Sequence, residues 1–175
     1  MNTREISLAS VVAALYAALV IFLAPISFGP VQLRVADCLI PLAALVGWPA
    51  VAGVSLGAFL GNAYFVSFTG PIDVVFGAVA NLIAATLIFR LRHRLLPACV
   101  AGSVAVGVIV GGYLWIYFPP PPIMGLNMPV WLAMIASITL SSVVAVSGIG
   151  YLLVKALSAS GLREILESRG LKTYI

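Results

Sequence analysis

The chain has 175 residues, of which 63% are hydrophobic and 8% are charged, and its mean hydropathy is +1.19. This composition excludes a soluble domain, because so apolar a chain prefers a lipid bilayer as its solvent. Nine Lys and Arg residues against five Asp and Glu residues give a formal net charge of +4. Cytoplasmic loops of membrane proteins are typically rich in such basic residues.

Long charge-free runs of the sequence divide at proline and glycine residues into six predicted transmembrane helices. A helix needs about 20 apolar residues to cross a bilayer, and proline and glycine disfavour its continuation. The second helix is short, and no linker suggests a second domain. We therefore predict one all-α membrane domain over residues 1–175, with a cytoplasmic tail over residues 157–175. The predicted helices cover residues 5–24, 35–46, 50–66, 71–90, 95–118 and 129–156.

The basic residues orient this predicted bundle. Arg4 precedes helix 1, an Arg-rich cluster over residues 90–94 follows helix 4, and further Lys and Arg residues follow helix 6. With six spans these groups lie on one side, which predicts cytoplasmic termini in a multi-pass protein of the cell membrane. Arg34 is then the one basic residue on the outer side, and it needs a local explanation.

Small residues repeat at four-residue spacing on two predicted helices. Such stripes let helices approach closely in lipid, where association depends on van der Waals packing and interhelical bonds. Packing inside the bundle explains both stripes, and the alternative for helix 1 is a docking face for another membrane subunit. The stripes are Ala9, Ala13 and Ala17 on helix 1, and Gly53, Gly57 and Gly61 on helix 3.

The segment between helices 1 and 2 carries two charged residues in otherwise apolar surroundings. Its Gly29-Pro30 pair prevents a simple helical continuation and suits a short re-entrant or lid-like segment that lines a cavity. Arg34 and Asp37 are three residues apart, so once helical they can form an ion pair on one face. Because a charge in hydrocarbon costs roughly 2.5 to 3.5 kcal/mol, contact with a polar ligand is the other explanation.

Asp73 lies near the start of helix 4, after Gly70 and Pro71. A proline at the first position and a carboxylate in the first turn are typical of a helix start, so capping alone explains Asp73. Gly77 and Asn81 follow at four-residue spacing, and a bare packing face would not need a buried amide, whose desolvation is costly. We therefore predict that this face of helix 4 lines a polar pocket.

Further polar and aromatic residues near the outer helix ends are candidates to complete the pocket. Tyr and Trp are common at membrane interfaces for other reasons, so each candidate alone is a weak indication. These predicted substrate contacts are Gln32, Asn62, Tyr64, Asn127 and Trp131.

Catalytic motifs are absent from the sequence. It contains no phosphate-binding loop, no H-E-x-x-H and no G-x-S-x-G, so neither an enzyme nor an ATPase is expected. We predict no metal, no cofactor and no nucleic-acid partner. A solute-binding membrane subunit that is energised by a partner fits these absences better than a self-contained pump.

Three ordered segments within residues 28–90, about a third of the chain, resemble the queuosine-precursor transporter (QueT) family. They read FGPVQLRVAD from Phe28, GVSLG from Gly53 with a later Gly61-Asn62, and DVVFGAVANLIAA from Asp73. The resemblance implies an S component, the substrate-binding subunit of an energy-coupling factor (ECF) transporter, with six helices, cytoplasmic termini and an outward-facing site.

The same resemblance implies partners for the first helix. Family members dock through an alanine-rich face of helix 1 onto a transmembrane coupling protein that carries two ABC-type ATPases, and Ala9, Ala13 and Ala17 take that role here. The chain departs from the family pattern at Asp37, where Glu is usual, and at Asn81, where Thr or a similar small residue is usual. A shorter acid and a larger amide reshape the pocket.

The implied substrate is a 7-deazaguanine-type base. Its ring N–H and amino group are adjacent donors, and a carboxylate accepts from both at once. Asp73 or Asp37 fits this role, and we expect Asp73 to be the principal ligand, with the Arg34–Asp37 pair holding the outer loop over the pocket. Three alternatives stay open: an S component for another flat vitamin-like or aromatic solute, a self-contained facilitator, and a membrane assembly factor.

Overall fold

The computed structural model describes residues 1–27, 33–119 and 129–175. Within these ranges the chain forms helices and connecting turns, and no strand is present. The α-helices are α1 (Thr3–Phe22), α2 (Ala24–Ser27), α3 (Leu42–Val46), α4 (Trp48–Tyr64), α5 (Val66–Arg90), α6 (Leu95–Leu114), α7 (Val130–Ser142), α8 (Tyr151–Ala159) and α9 (Leu162–Ser168), with 3-10 helices at Val35–Leu39 and Arg92–Arg94 and a π-helix at Val143–Gly150.

Four helical stretches are long and apolar enough to cross a membrane, which makes the protein an all-α membrane protein. They are Thr3–Phe22, Val66–Arg90, Arg92–Leu114 and Val130–Ala159. The other two of the six predicted spans are too short to be counted among these four stretches. The α4 helix has 17 residues and measures about 25 Å at 1.5 Å per residue, and the second predicted helix corresponds to the shorter apolar segment Val35–Val46.

The second predicted helix is divided into two pieces, the 3-10 helix Val35–Leu39 and α3. Pro41 is the residue before α3, and because proline has no backbone N–H it interrupts a continuous helical hydrogen-bond ladder. Most of this segment is buried, and Ile40 and Leu45 are almost completely so. The segment is therefore core rather than lipid-facing surface.

The predicted break between helices 3 and 4 lies at a kink in α5, where two helices meet at the non-helical Gly70. Gly70 has φ 80° and ψ 162°, a conformation that glycine adopts without strain. Pro71 follows, and a residue before proline avoids the helical conformation. A side chain at position 70 would also collide with the ring of Tyr117. The kink turns the chain so that Asp73 enters the interior of the bundle.

The two small-residue stripes pack against each other. A Cβ at Gly53 would lie 2.8 Å from the carbonyl oxygen of Ala9, and one at Gly57 would lie 2.7 Å from that of Ala13. Ala13 is only 3% exposed. Close approach of α4 to α1 therefore requires glycine on α4, and the structure gives the alanine stripe an internal packing role.

The C-terminal segment folds back onto the bundle instead of forming a free tail. After α9, the backbone N–H of Tyr174 donates to the carbonyl of Leu45 over 3.0 Å. The ring of Tyr174 packs edge-to-face on Phe89 with centroids 4.9 Å apart, and the Arg92 guanidinium lies over both rings. This end of the bundle, which also carries Arg4, is called the basic end below.

Candidate functional site

A polar cavity lies inside the bundle at the end opposite the basic end. Its free volume is about 30 Å³, comparable with the volume of a single water molecule. The 3-10 helix Val35–Leu39 and the helices α5, α6 and α7 all contribute to its walls. Its lining residues are Ser27, Arg34, Asp37, Asp73, Asn81, Val106, Val110, Leu114, Phe118, Ile138, Ser141 and Ser142.

Asp73 takes part in both a hydrogen bond and an ion pair in the cavity wall. It is 1% exposed and follows the α5 kink directly. Its Oδ1 accepts a hydrogen bond of 2.6 Å from the Tyr113 hydroxyl, while its Oδ2 lies 3.8 Å from Arg34 Nη2 in an ion pair. Oδ2 is buried and has no hydrogen-bond partner in the described part of the chain. One carboxylate oxygen is therefore available to a donor from the cavity.

Asp37 has a different partner from the one that the sequence predicts. It is 3% exposed, and its Oδ1 accepts a short hydrogen bond from the hydroxyl of Tyr16 on α1. Arg34 lies just before the 3-10 helix with φ −81° and ψ 89°, so it is not helical and does not share a helical face with Asp37. The ion pair of Arg34 joins it to Asp73 on a distant segment, and the Arg34 charge also interacts electrostatically with Asp37.

Two buried amides support this arrangement. Asn62 donates from Nδ2 to the carbonyl of Asp73 over 2.9 Å, and a Cβ on Gly77 would collide with that Nδ2. The gap at Gly77 therefore holds the Asn62 amide. Asn81 lines the cavity and places its Nδ2 3.5 Å from the carbonyl of Val54.

A family model described as QueT transporter matches residues 6–159. The chain belongs to the QueT transporter family. Comparison with curated proteins and with solved structures gave no match. The family match extends beyond residues 28–90 into α1, α6, α7 and the π-helix, so it covers every helix that lines the cavity. The protein is a membrane transporter rather than an enzyme, and its substrate is a small molecule.

This QueT-family transporter brings four of the predicted site residues, Arg34, Asp37, Asp73 and Asn81, to one cavity. Asn62 lies behind them and holds the Asp73 backbone. Gln32 and Asn127 lie outside the described residues.

Two predicted aromatic contacts lie on the surface of the transporter instead of at the cavity. Tyr64 is 68% exposed and Trp131 is 50% exposed. Tyr64 is the last residue of α4 and packs edge-to-face on Phe65. Both positions suit amphipathic rings at a membrane interface.

Several residues of the QueT-family site were not predicted from the sequence. Tyr16 and Tyr113 donate hydrogen bonds to the two buried carboxylates, and Ser27, Ser141 and Ser142 add hydroxyls to the cavity wall. No local sequence signal marks the two tyrosines as partners of the carboxylates. Adjacent serines in the apolar α7 were a signal, because buried hydroxyls need hydrogen-bond partners.

The cavity favours a ligand that donates hydrogen bonds. Two carboxylates face one guanidinium, and the lining side-chain atoms that are buried and lack hydrogen-bond partners among the described residues, Ser27 Oγ and Asp73 Oδ2, are oxygens. Carboxylate and amide oxygens accept, and a serine hydroxyl also accepts. Among the described residues, His, Cys, Asp and Glu form no group of three that could hold a metal ion. A polar organic molecule with several donors matches this wall.

Proposed function

We propose that this QueT-family transporter is the S component of an ECF importer and that it takes up a queuosine precursor, a 7-deazaguanine-type base. The observation that carries the proposal is the buried Asp73 Oδ2, which borders the cavity without a hydrogen-bond partner among the described residues. An ionised oxygen buried in this way is costly unless a donor reaches it. A ring N–H or amino group of the base supplies that donor.

The hydrogen-bond partners of the two carboxylates support Asp73 as the residue that binds the base. The Tyr16 hydroxyl already occupies Asp37 Oδ1. Arg34 and Asp73 are 3.8 Å apart, which is beyond direct hydrogen-bond distance, so a ligand donor can bind Oδ2 more closely than Arg34 does. A precursor with an ammonium group then places that charge nearer to Asp37.

The size of the cavity indicates that the protein opens to bind. Small-molecule sites usually enclose about 300–1,000 Å³, whereas the free volume here is about 30 Å³. Separation of Arg34 from Asp73 removes the one described ion pair that crosses the cavity and makes room for a flat base. The described conformation is therefore the closed form in this proposal.

We infer a topology of six crossings with the cavity toward the outside. The segment Val35–Val46 begins beside Asp73 and ends at Gly47, where an added Cβ would meet the Tyr174 ring, so this short segment also covers the height of the bundle. Every Lys and Arg other than Arg34 belongs to the basic end or to the segments around it. The positive-inside tendency supports cytoplasmic termini for this protein, which we propose lies in the cell membrane.

The proposed coupling partners, a transmembrane coupling protein with two ABC-type ATPases, dock on the open face of α1. Ala13 packs against α4, so the docking face expected at Ala9, Ala13 and Ala17 moves to the adjacent exposed side. Small residues also line that side, which permits close helix contact. They are Ser10 and Ala14, with the half-buried Ala18.

Two measurements test the proposal. Mass spectrometry of the molecule released from the purified, denatured protein identifies the ligand, and calorimetry compares 7-deazaguanine with adenine. Adenine has an acceptor where the deazaguanine ring has its N–H, so it should bind far more weakly. Equal binding of both bases, or a released ligand without adjacent donors, would contradict the substrate assignment. Uptake by the chain alone in liposomes, without ATPases, would instead show a facilitator.

A further inference from the structure

A second cavity lies at the basic end, far from the charged residues of the first. It has a volume of about 450 Å³ and is formed between the first turns of α1 and the turn that follows α9. Its wall combines two arginines, two hydroxyls and three aliphatic side chains. The lining residues are Arg4, Ser7, Leu8, Val11, Ser168, Arg169 and Leu171.

Specific backbone geometry builds this second cavity. Arg4 Nη1 donates to the carbonyl of Arg169 over 2.8 Å, and Gly170 follows with φ 73°. A Cβ at Gly170 would collide with Arg4 Nη1, and the N–H of Leu171 closes the turn on the carbonyl of Leu166. The Arg4 hydrogen bond therefore holds the C-terminal segment against α1, and Arg4 and Arg169 both line the second cavity.

The carboxylates near this cavity already have other partners. Glu5 accepts from the backbone N–H of Asn2 and lies 3.9 Å from the N-terminal ammonium. Glu167 accepts from Arg163 over 3.0 Å and from Thr173. In the described ranges, neither Arg4 nor Arg169 has a carboxylate within ion-pair distance. The cavity thus presents two positive charges without a matching negative charge.

Apolar side chains continue from this cavity onto the lipid-facing side of α1. Leu8 and Leu171 lie in the wall, and Val11, also in the wall, is 63% exposed. Leu15, four residues after Val11 and exposed as well, extends this apolar surface along the helix. A soluble anion would use only the charged part of the cavity, whereas a lipid would use both parts.

We propose that this cavity binds an anionic phospholipid, with its phosphate between Arg4 and Arg169 and an acyl chain along Val11. Guanidinium groups bind phosphate through charge-assisted hydrogen bonds, and basic pockets at the cytoplasmic end of membrane helices bind anionic headgroups. The bound lipid would join α1 to the C-terminal segment at the membrane surface. This inference is independent of which substrate occupies the first cavity.

Native mass spectrometry of the detergent-purified full chain tests the proposal by titration with phosphatidylglycerol and with phosphatidylcholine. Phosphatidylglycerol should bind more tightly, and Arg169→Gln should weaken it about fivefold, the effect expected for one basic residue at a lipid surface. The backbone carbonyl that holds Arg4 is unchanged in this variant. Arg90→Gln, which removes the same charge from an exposed position elsewhere at the basic end, is the matched control and should bind like the wild type.

Four results would overturn the lipid assignment. Equal binding of both lipids by the wild type would exclude headgroup recognition, and this comparison needs no variant to fold. An equal loss in Arg169→Gln and Arg90→Gln would show unspecific attraction. Displacement of the lipid by millimolar inorganic phosphate would indicate a soluble-anion site. Weaker capture of the ATPase module by Arg169→Gln in phosphatidylcholine alone would indicate an acidic protein partner.

Discussion

At the level of single residues, three partners compete for the two oxygens of Asp73. Tyr113 holds Oδ1 by a short hydrogen bond, and Arg34 balances the charge at Oδ2 from 3.8 Å. The proposed base is the third partner. Because the carboxylate is almost completely buried, each lost partner leaves a desolvated charge, so substitutions around Asp73 should differ strongly in their effects.

Asp73→Asn should weaken base binding by about 2 to 4 kcal/mol, or roughly 30- to 1000-fold. The substitution keeps the size of the side chain but places an amide donor where the ligand also donates. Tyr113→Phe is the milder comparison, since it removes one hydroxyl and should cost about 0.5 to 1.5 kcal/mol. Calorimetry on both variants compares their losses of affinity. Near-native affinity of Asp73→Asn would reduce Asp73 to a structural role.

Gly77→Ala should destabilise the protein by about 1 to 3 kcal/mol, as overpacked sites do. The added methyl group would collide with the Asn62 amide, which holds the Asp73 backbone, so ligand binding should weaken as well. Gly112→Ala on α6 is the matched control, because nothing lies within 4 Å of its added Cβ. Thermal unfolding with and without ligand distinguishes the two, and equal stability of both variants would contradict the packing at Gly77.

Sequence reasoning found the charged residues of the site but not their hydrogen-bond partners. Asp37 and Asp73 stand out because charges are rare in apolar helices. Asn81 stands out because burial of an amide on a packing face is costly without a hydrogen-bond partner. Nothing in the local sequence distinguishes Tyr16 or Tyr113 from a tyrosine at a membrane interface. Their roles depend on which helix faces which, and this is a property of the tertiary structure.

At the level of secondary-structure elements, the sequence indicates where helices lie better than how they break. Glycine and proline predict the break at positions 70 and 71, whereas the division of residues 35–46 at Pro41 was not predicted. Whether the chain continues as a 3-10 helix, as in Val35–Leu39, or kinks and continues, as in α5, depends on the neighbours. The Tyr117 ring beside Gly70 comes from a distant part of the chain, so the sequence predicts the break at this position but not the packing around it.

Neighbouring alanines on α1 should respond differently to the same enlargement. Ala13→Leu inserts bulk where Gly57 approaches the α1 backbone, and should destabilise the fold by about 1 to 3 kcal/mol. Ala14→Leu lies on the exposed side, so ligand binding should persist while uptake and capture of the ATPase module are lost together. Normal uptake by Ala14→Leu would contradict docking on this face, and an unaffected melting temperature of Ala13→Leu would contradict its packing against α4.

At the level of the whole molecule, the two ends of the bundle differ in charge and in chemistry. One end holds the acidic cavity, and the other holds nearly all basic residues and the C-terminal segment that packs on them. A base that enters from outside would therefore meet an acceptor-rich site first. The positive charges would face the negatively charged cytoplasmic leaflet.

Single cysteines test this orientation by labelling with a membrane-impermeant reagent. Arg92→Cys and a cysteine at Ile175 should react only from the cytoplasmic side, and Pro121→Cys only from outside. Cys38 and Cys99 are buried and free, so they should give little background. Reaction of positions 92 and 121 from the same side would refute the proposed six crossings.

The hydrogen bond between Tyr174 and Leu45 also bears on the order of events during biosynthesis. In the proposed topology of six crossings, Val35–Val46 enters the membrane early, but the carbonyl of Leu45 receives its partner only after α1 to α9 have been synthesised. In that topology we expect the translocon to release a second segment that is too short to be held firmly by lipid and whose inner end is still incomplete. Nascent chains stalled before position 174 should expose this segment to quality-control proteases, whereas longer chains should resist them.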